Sequence, residues 1–196
     1  IILENFASIL QEVLPETALQ RVISTQVGDM LPVPKRWLVN FVIKRVKNMV
    51  PDWQIAGAIP FLKALARGSR AEFTRPKITH EDIAFLQYTG GTTGVAKGAM
   101  LTQRNMLANL EQVNLWISSR FKEGCEIAVA PLPMYHIFCL TSTLGFLKWG
   151  SMILLITNPR DLPAFVKELA KWKFSVLTGV NTLFNGLMNT PGFERL

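Results

Sequence analysis

The sequence predicts an α/β fold in which helices cover a mostly parallel sheet. From Ile83 onward, short apolar runs of strand length alternate with longer segments of helical apolar spacing. Such alternation favours parallel βαβ units, because each crossover helix packs back onto the sheet. With 49% hydrophobic and 18% charged residues over 196 positions, the composition is globular and allows a sizeable core. We therefore expect a single domain over residues 1–196, with residues 76–196 as its core and residues 1–75 as a leading segment of weaker pattern.

The leading segment contains three predicted helices and one predicted strand. The helices are ended by Pro15, Pro51 and Gly68. Residues 68–77 are polar and charged, which is typical of a connector. The predicted elements are a helix at 5–14, a strand at 19–25, a helix at 36–50 and a helix at 61–66.

The core segment shows a regular order of strands and helices. Residues 83–88 are predicted to form a buried strand, and Thr102 and Asp161 have the side chains of good helix N-caps. The helix after Thr102 has an apolar stripe made of Met106, Leu110, Val113 and Ile117. The other predicted strands are 99–101, 126–130, 152–156 and 174–177, and the other helices are 138–149, 161–172 and one opened by Thr182.

The most informative stretch is the glycine- and threonine-rich segment at residues 88–98. It combines four glycines, three threonines and Lys97 directly after a predicted strand. Glycines let backbone N–H groups approach a ligand closely, threonine hydroxyls add donors, and a lysine adds a positive charge. Polyphosphate recognition requires these groups together, so the segment is predicted to bind phosphate rather than to be a hairpin without a ligand.

Two familiar phosphate motifs do not match this segment. A Walker A loop requires Gly-Lys-Ser/Thr, whereas Ala96 precedes Lys97 and Gly98 follows it. No frame supplies a G-x-G-x-x-G run that opens a helix, because Gly98 leads into a predicted strand. The loop is therefore predicted to lie between two strands rather than between a strand and a helix.

Four segments carry a resemblance to a known family. Residues 88–98 resemble the signature of the adenylate-forming, or AMP-binding, enzymes, with Ala96 where that family usually has Pro. The run Pro-Leu-Pro-Met-Tyr-His at 131–136 resembles the family's Pro-x-x-His motif. The runs at 155–161 and 178–184 resemble the bacterial long-chain fatty-acyl-CoA synthetases in particular. By this resemblance, the chain is part of the large N-terminal domain of the adenylate-forming fold.

The resemblance implies a nucleotide site built by the loop. Thr89 to Gly94 would wrap the β- and γ-phosphates of ATP, Lys97 would close over them, and Tyr88 would anchor the base of the loop or touch the nucleotide. Thr92 and Lys97 are the implied catalytic residues. The implied nucleotide-binding set is Tyr88, Thr89, Gly90, Gly91, Thr92, Thr93, Gly94, Lys97 and Gly98.

The resemblance also implies an acyl site. His136 would lie beside the carboxylate and the adenylate, and the alternative is a structural core histidine. Gly179 and Val180 would line the acyl pocket, where a glycine leaves room for a chain, and the alternative is an ordinary strand-to-helix turn. Asn181 stands where many relatives have Pro. No metal ligand is assigned, because His136 has no ligand partner nearby in the sequence.

The reaction implied by the resemblance uses ATP, Mg²⁺, a long-chain fatty acid and coenzyme A. The chain begins at Ile1 without an initiator Met and ends soon after Pro191, which indicates an internal piece of a longer protein. The family's motifs for the metal, the ribose, the hinge and the C-terminal lysine do not occur in it, so we expect the chain alone to be inactive. The alternatives are an aryl-CoA ligase, a peptide-synthetase adenylation domain, or a non-catalytic nucleotide- or lipid-binding module.

A basic amphipathic stretch at residues 35–50 has two interpretations. Its helical wheel places Leu38, Phe41, Val42, Val46 and Met49 on one face, opposite Arg36, Asn40, Lys44 and Lys47. Such a helix can lie in a membrane interface, where Trp37 would suit the interfacial layer. It can also pack its apolar face on the core and leave the basic face solvated, which is the more common arrangement.

Charge and cysteine content restrict the partners. A net charge of +7 favours anionic partners, but no RNA- or DNA-binding motif is present, which argues against nucleic acid. Cys125 and Cys139 lack C-x-x-C spacing, so they support no metal or redox site and are expected to be reduced and buried. We expect a cytoplasmic protein, with peripheral contact to the inner face of the cytoplasmic membrane as an open alternative.

Overall fold

The computed structural model describes residues 1–89 and 96–196, and these residues form an α/β structure. The chain divides into two compact units, Ile1–Pro76 and Lys77–Leu196. Within these ranges, no helix combines the length and the apolar character needed to cross a lipid bilayer.

The first unit is a small parallel sheet with short helices. Its strand order is β1-β2-β3, and both pairs are parallel. Ala7, Val22 and Ile55 supply its buried apolar side chains. The strands are β1 (Ile2–Leu3), β2 (Ile23–Thr25) and β3 (Ile59–Pro60), and the helices are α1 (Ala7–Val13), α2 (Lys35–Phe41) and α3 (Phe61–Gly68). Single turns of 3-10 helix flank α1 at Glu4–Phe6 and Leu14–Glu16, and a π-helical turn at Val42–Val46 extends α2.

Two predicted elements of this unit are shorter than the sequence indicated. The strand predicted at 19–25 is present only as β2, because its pairing with β1 and β3 extends over three residues. The helix predicted at 36–50 is α2 plus the π-helical turn, which ends at Val46. The backbone N–H of Lys47 then bonds to the carbonyl of Val42, and Asn48 takes a positive φ of 47°.

The orientation of α2 also differs from the more common arrangement. Leu38 and Phe41 are exposed by 64% and 60%, so the apolar face does not pack on the core. The polar side packs instead: Asn40 accepts a hydrogen bond from Gly28, and Lys44 lies 3.8 Å from the Glu4 carboxylate. Of the two interpretations left open, the packed apolar face is not the one seen in this unit, because Asn40 and Lys44 have polar partners within it.

The second unit contains a hairpin and a three-stranded parallel sheet. The hairpin consists of β4 (Ile83–Thr89) and β5 (Lys97–Thr102), which are antiparallel. The parallel sheet has the order β7-β6-β8, with β6 (Ile127–Ala130), β7 (Met152–Leu155) and β8 (Val176–Leu177). The helices are α4 (Gln103–Ile117), α5 (Ile137–Lys148), α6 (Leu162–Leu169) and α7 (Asn181–Met188), and a 3-10 turn at Phe193–Arg195 follows them.

The core of this unit joins the parallel sheet to its helices. Val129 of β6 packs with Phe165, Val166 and Leu169 of α6 and with Leu187 of α7. Helix α5 adds further buried side chains and packs against α4. The predicted βαβ arrangement is thus confirmed for β6, β7 and β8.

Local signals at helix starts were also confirmed. The Thr102 hydroxyl accepts a hydrogen bond from the Asn105 N–H at 3.2 Å, and the Asn105 side chain accepts one from the Thr102 N–H at 3.0 Å. This reciprocal pair is a capping box, and it fixes the point where β5 turns into α4. The Asp161 carboxylate accepts from the Ala164 N–H at 3.2 Å at the start of α6.

Two burial predictions were wrong. The strand at 83–88 is not buried, since Leu86 and Tyr88 are exposed by 57% and 63%. The strand is exposed because, within the described residues, β4 pairs only with β5, and a two-stranded hairpin leaves much of both faces uncovered. Cys125 is likewise exposed, whereas Cys139 is buried as expected.

Candidate functional site

The two ends of the predicted phosphate loop are held together by the β4–β5 ladder. Thr89 lies opposite Lys97, and Tyr88 lies opposite Gly98. The Thr89 hydroxyl is 3.5 Å from the Lys97 carbonyl oxygen, a long hydrogen bond across the hairpin. We refer to Tyr88, Thr89, Lys97 and Gly98 as the loop base. The ladder fixes the backbone positions from which the Thr89 and Lys97 side chains extend.

The ring of Tyr88 lies against the backbone of Gly98. A Cβ atom added to Gly98 would come within 3.1 Å of the Tyr88 Cζ atom and within 3.4 Å of two further ring atoms. Few real Cβ contacts are that close, so this position favours glycine because of the ring. The contact supports the predicted role of Tyr88 as the anchor of the loop base.

The other predicted phosphate-binding residues are Gly90, Gly91, Thr92, Thr93 and Gly94, which lie outside the described residues. Thr89 and Lys97 are exposed, so their side chains are accessible to a ligand. Their assignment to a nucleotide stays a prediction that the geometry of the loop base supports.

The Pro-x-x-His segment is connected to the hairpin by a hydrogen bond that the sequence did not reveal. The Gln87 amide donates to the backbone carbonyl of Tyr135 at 2.9 Å. Gln87 directly precedes the loop base, and Tyr135 directly precedes His136. The structure therefore brings the predicted phosphate site and the predicted carboxylate site together. The signal in the sequence is slight: a single polar residue within the apolar run of β4.

His136 is exposed and begins α5, so it is not a core histidine. Its Nδ1 atom accepts a hydrogen bond from the Phe138 N–H at 3.3 Å. When Nδ1 accepts, the neutral ring carries its proton on Nε2, which makes Nε2 a donor. His136 is thus oriented by the helix start and can donate to an oxygen atom of a ligand.

Gly179 has a different structural role from the one expected. A Cβ atom there would lie 3.1 Å from Leu183 Cδ2 and 3.1 Å from Phe184 Cζ. The space next to Gly179 is therefore taken by side chains of α7 rather than left for an acyl chain. The assignment of Gly179 to substrate binding stays a prediction, but close packing of α7 explains the glycine.

Val180 lines an open cleft of about 340 Å³ at the carboxyl ends of the parallel strands. Leu132 of the Pro-x-x-His segment and Arg160 line the same cleft. Ligands of open α/β sheets bind at this end of the strands. The cleft thus connects Val180 with the segment that carries His136, and Arg160 is a neighbour that the sequence analysis missed.

A second cavity, which we call the α4–α5 cavity, lies between these two helices and β8. It has a volume of about 290 Å³ and its lining is almost entirely apolar. The Trp149 ring N–H donates to the Asn114 side chain at 2.8 Å, so the main polar groups at its wall are paired. Its principal lining residues are Leu110, Val113 and Ile117 from α4, Gly145, Phe146 and Trp149 near the end of α5, and Val176 and Thr178 from β8 and the residue that follows it.

The α4–α5 cavity explains the apolar stripe predicted for α4. Of its four members, Met106 is buried, and Leu110, Val113 and Ile117 face the cavity. At the rim, the Lys148 ammonium donates to the Glu111 carboxylate, and this hydrogen bond lowers the pKa of Glu111 below its ordinary value. The sequence indicated the stripe but not that it borders an empty space.

The residues present do not fit a metal site. Among residues 1–89 and 96–196, no three His, Cys, Asp or Glu side chains come together in a group that could hold an ion. The described part of the chain therefore offers hydrogen-bond donors and positive charge, but no acidic ligand set for Mg²⁺.

The family model of the AMP-binding enzymes matches residues 2–196, which is nearly the whole chain. The chain therefore belongs to the AMP-binding enzyme family, as the resemblance of the loop segment implied.

Similar proteins refine this placement. The chain is 54% identical over its whole length to a long-chain-fatty-acid–CoA ligase of Escherichia coli O157:H7, of which it covers 35%. It is 48% identical, again over its whole length, to a long-chain-fatty-acid–CoA ligase of Haemophilus influenzae, of which it covers 35%. The chain thus spans about a third of the length of these relatives.

A solved structure confirms the fold. A fatty acyl CoA synthetase of Mycobacterium tuberculosis aligns with 95% of this chain and 34% of its own, with a TM-score of 0.62 and 18% sequence identity. At that identity the likeness concerns the fold alone, which is the α/β fold of the adenylate-forming enzymes that the sequence predicted.

Proposed function

We propose that this chain forms the phosphate-binding part of an ATP-dependent ligase that joins a long-chain fatty acid to coenzyme A. The observation that carries the proposal is the identity of 54% over the full chain to a ligase of that name. The shared length includes the loop base, the Pro-x-x-His segment and the α4–α5 cavity. The alternative within the same family is a ligase that joins another carboxylic acid, such as an aromatic acid, to coenzyme A.

The proposed chemistry has two steps. A carboxylate oxygen of the fatty acid attacks the α-phosphorus of ATP, the bond to the pyrophosphate oxygen breaks, and an acyl-adenylate forms. The thiolate of coenzyme A then attacks the acyl carbonyl carbon, and the bond to the AMP oxygen breaks. Both steps depend on holding reactants in place and on stabilising charge on phosphate oxygens.

The loop base would act on the leaving pyrophosphate. Lys97 supplies a positive charge and Thr89 a hydroxyl, and the β4–β5 ladder holds the backbones of the two residues opposite each other. Preorganised donors stabilise developing charge without further reorganisation. We propose that Thr92, Thr93 and the glycines of the loop complete this cradle.

His136 and the α4–α5 cavity would act on the acyl substrate. We propose that Nε2 of His136 donates to the reacting carboxylate, while the acyl chain extends along α5. At a rise of about 1.5 Å per residue, the cavity residues Ser142 to Phe146 lie roughly 8 to 14 Å along the axis from Ile137. An apolar space at that distance suits the tail of a fatty acid whose head is at His136. Val180 would border the entrance to this path.

The wider assignments follow from the same proposal. ATP, a long-chain fatty acid and coenzyme A would be the partners, and residues 1–196 would act within one AMP-binding domain of a cytoplasmic protein with peripheral membrane contact. Mg²⁺ is implied by the family, but we assign no step to it because the described residues do not fit such an ion.

The proposal is tested with the protein at its full natural length. Pyrophosphate release from ATP is measured with palmitate, oleate or 4-coumarate, with and without coenzyme A, and acyl-CoA is quantified. We expect fatty-acid-dependent release and palmitoyl-CoA formation. Release that depends on 4-coumarate and not on palmitate would assign the protein to the aromatic-acid ligases, and release with neither acid would contradict the proposal. The present chain alone is expected to give no turnover.

A further inference from the structure

Gln87 lies on the face of β4 that also carries the polar side chains of the loop base. Successive side chains of a strand point to opposite faces, so Gln87 and Thr89 share one face and Tyr88 occupies the other. Residues directly opposite each other in an antiparallel pair lie on the same face, which adds Lys97, the partner of Thr89. The side chains of Thr89 and Lys97 therefore extend from the same side of the hairpin as the Gln87 amide.

This face is directed towards the Pro-x-x-His segment. The Gln87 Nε2 atom donates to the Tyr135 carbonyl at 2.9 Å and lies 3.4 Å from the Tyr88 carbonyl. Both neighbours are acceptors, so the amide presents its NH2 group to them. Within the described parts of the chain, no other hydrogen bond joins the β4–β5 hairpin to residues 131–136. The Gln87 side chain is thus the polar link between the two segments in the described structure.

The Tyr135 carbonyl belongs to the peptide unit that leads into His136. The N–H of the same unit donates to the Pro133 carbonyl at 2.9 Å, so both polar groups of this unit are hydrogen-bonded. A peptide unit is planar, so fixing its two polar groups fixes its orientation. Since the next peptide unit begins α5, the orientation of this one determines φ at His136, which is −80°. Gln87 therefore acts on the direction of the His136 ring through one peptide unit.

The Pro-x-x-His segment is also attached to α5. Pro131 is fully buried, and the Cys139 thiol donates to the Leu132 carbonyl at 3.0 Å. These contacts come from the part of the chain that would hold the acyl chain. The bond from Gln87 comes instead from the hairpin, which would hold the phosphates. The segment is therefore attached to both halves of the site.

We propose that Gln87 is a positioning residue that places His136 relative to the phosphates of ATP and so serves the adenylation step. The proposal rests on the proposed function, in which a carboxylate oxygen attacks the α-phosphorus as pyrophosphate leaves. The loop base would hold the pyrophosphate and His136 the carboxylate, so the geometry of attack depends on the distance between them. A misplacement of about 1 Å can slow such a reaction on the order of 100-fold. In the second step the pyrophosphate has left, so the bond from Gln87 no longer aligns two reactants.

The kinetic test compares the two steps in the protein at its full natural length. Gln87→Met removes the amide donor at similar size, and Gln87→Glu replaces it by a carboxylate that only accepts. The control is Gln103→Met, the same exchange at another half-buried residue, which begins α4 and lies outside the loop base and the Pro-x-x-His segment. Pyrophosphate release from ATP with palmitate reports the first step. Palmitoyl-CoA formation from synthetic palmitoyl-adenylate and coenzyme A reports the second.

Both Gln87 variants should lower kcat of the first step at least about tenfold and leave KM for ATP within roughly threefold of the wild type. The second step should stay within about twofold in them, and both steps should do so in the control. An equal or larger loss in the second step would mean that the substitution only loosens the fold. A rise in KM for ATP at constant kcat would make Gln87 a binding residue only. Either result, or no loss in either step, would overturn the proposal.

A binding measurement separates this proposal from the ligase assignment. Inorganic tripolyphosphate has phosphates but no base or ribose, so it probes the phosphate site alone. Its addition should slow hydrogen exchange of residues 132–138, measured by mass spectrometry, in the wild type and in Gln103→Met but not in Gln87→Met. This measurement needs no acid substrate, so a lack of palmitate-dependent release would contradict the proposed function alone. An equal response in Gln87→Met, or no response in any of the three proteins, would overturn the role of Gln87.

Discussion

Gly145 lies in α5 beside the α4–α5 cavity, and we expect Gly145→Leu to shorten the acyl chain that the protein can use. A Cβ atom there would lie 3.7 Å from Leu110 Cδ2, which is an ordinary van der Waals contact. The root of a new side chain is therefore tolerated, and its outer atoms would enter the cavity of about 290 Å³.

The expected size of the effect follows from the displaced methylenes. A leucine side chain has about as many carbons as four methylenes of an acyl chain, each worth about 0.8 kcal/mol when buried. The loss for a long chain is then about 3 kcal/mol, or roughly 200-fold in kcat/KM. A smaller substitution, Gly145→Ala, tests whether the position tolerates a side chain. It replaces a helical glycine by alanine, so it should raise the free energy of unfolding by about 0.8 kcal/mol.

The assay compares kcat/KM for palmitate with kcat/KM for octanoate, which does not reach as far. Gly68→Leu serves as the control, because a Cβ atom at Gly68, at the end of α3, meets nothing within 4 Å. We expect the palmitate-to-octanoate ratio to fall in Gly145→Leu and to stay unchanged in the control. An unchanged ratio in a folded Gly145→Leu protein would show that the acyl chain does not occupy this cavity.

Three further predictions concern the loop base, a helix cap and a carboxylate. Lys97→Ala should slow pyrophosphate release at least tenfold, about 1.4 kcal/mol of barrier, and a rate within twofold of wild type would remove Lys97 from the phosphate site. Thr102→Ala should lower the free energy of unfolding by about 1 kcal/mol and Tm by about 2 to 4 °C in calorimetry, and an unchanged Tm would argue against the capping box. Hydrogen bonds to Glu126 from the Ser175 hydroxyl and, to a lesser extent, from the Lys122 N–H lower the pKa of Glu126 from its ordinary 4.5. These bonds favour the ionised carboxylate, so they stabilise the fold at higher pH, and the stabilisation is lost as the pH falls below 4.5 and Glu126 is protonated. The difference in urea midpoint between wild type and Ser175→Ala should shrink in that range, and a difference independent of pH would contradict the assignment.

The sequence predicted best where a local pattern determines the structure. The N-cap role of Thr102 depends on a side chain and a backbone N–H three positions apart, and the parallel strands depend on alternating runs along the chain. The strand at 83–88 was found correctly, but its burial was not. An apolar run indicates a strand, whereas its burial depends on which other elements cover it, and the run itself does not carry that information.

Contacts between residues of different segments account for what the sequence did not predict. The Gln87 amide meets the Tyr135 carbonyl 48 positions along the chain, and neither residue suggests the other. The outward direction of the apolar face of α2 depends on the hydrogen bond from the Gly28 N–H to the Asn40 side chain, and a helical wheel does not show contacts with other segments. Gly179 was assigned to the acyl pocket from its residue type, and its close approach to Leu183 and Phe184 follows only from the packing of α7. In each case the residue type was visible in the sequence and its partner was not.

The hydrogen bond between Gln87 and Tyr135 also makes the position of the Pro-x-x-His segment depend on the register of β4. Side chains alternate between the two faces of a strand, so a shift of β4 by one position would direct Gln87 away from Tyr135 and move Tyr88 off Gly98. A shift by two would restore the faces but not these partners. Insertions or deletions within β4 would therefore separate the phosphate side of the site from the histidine side, even where the strand itself still forms.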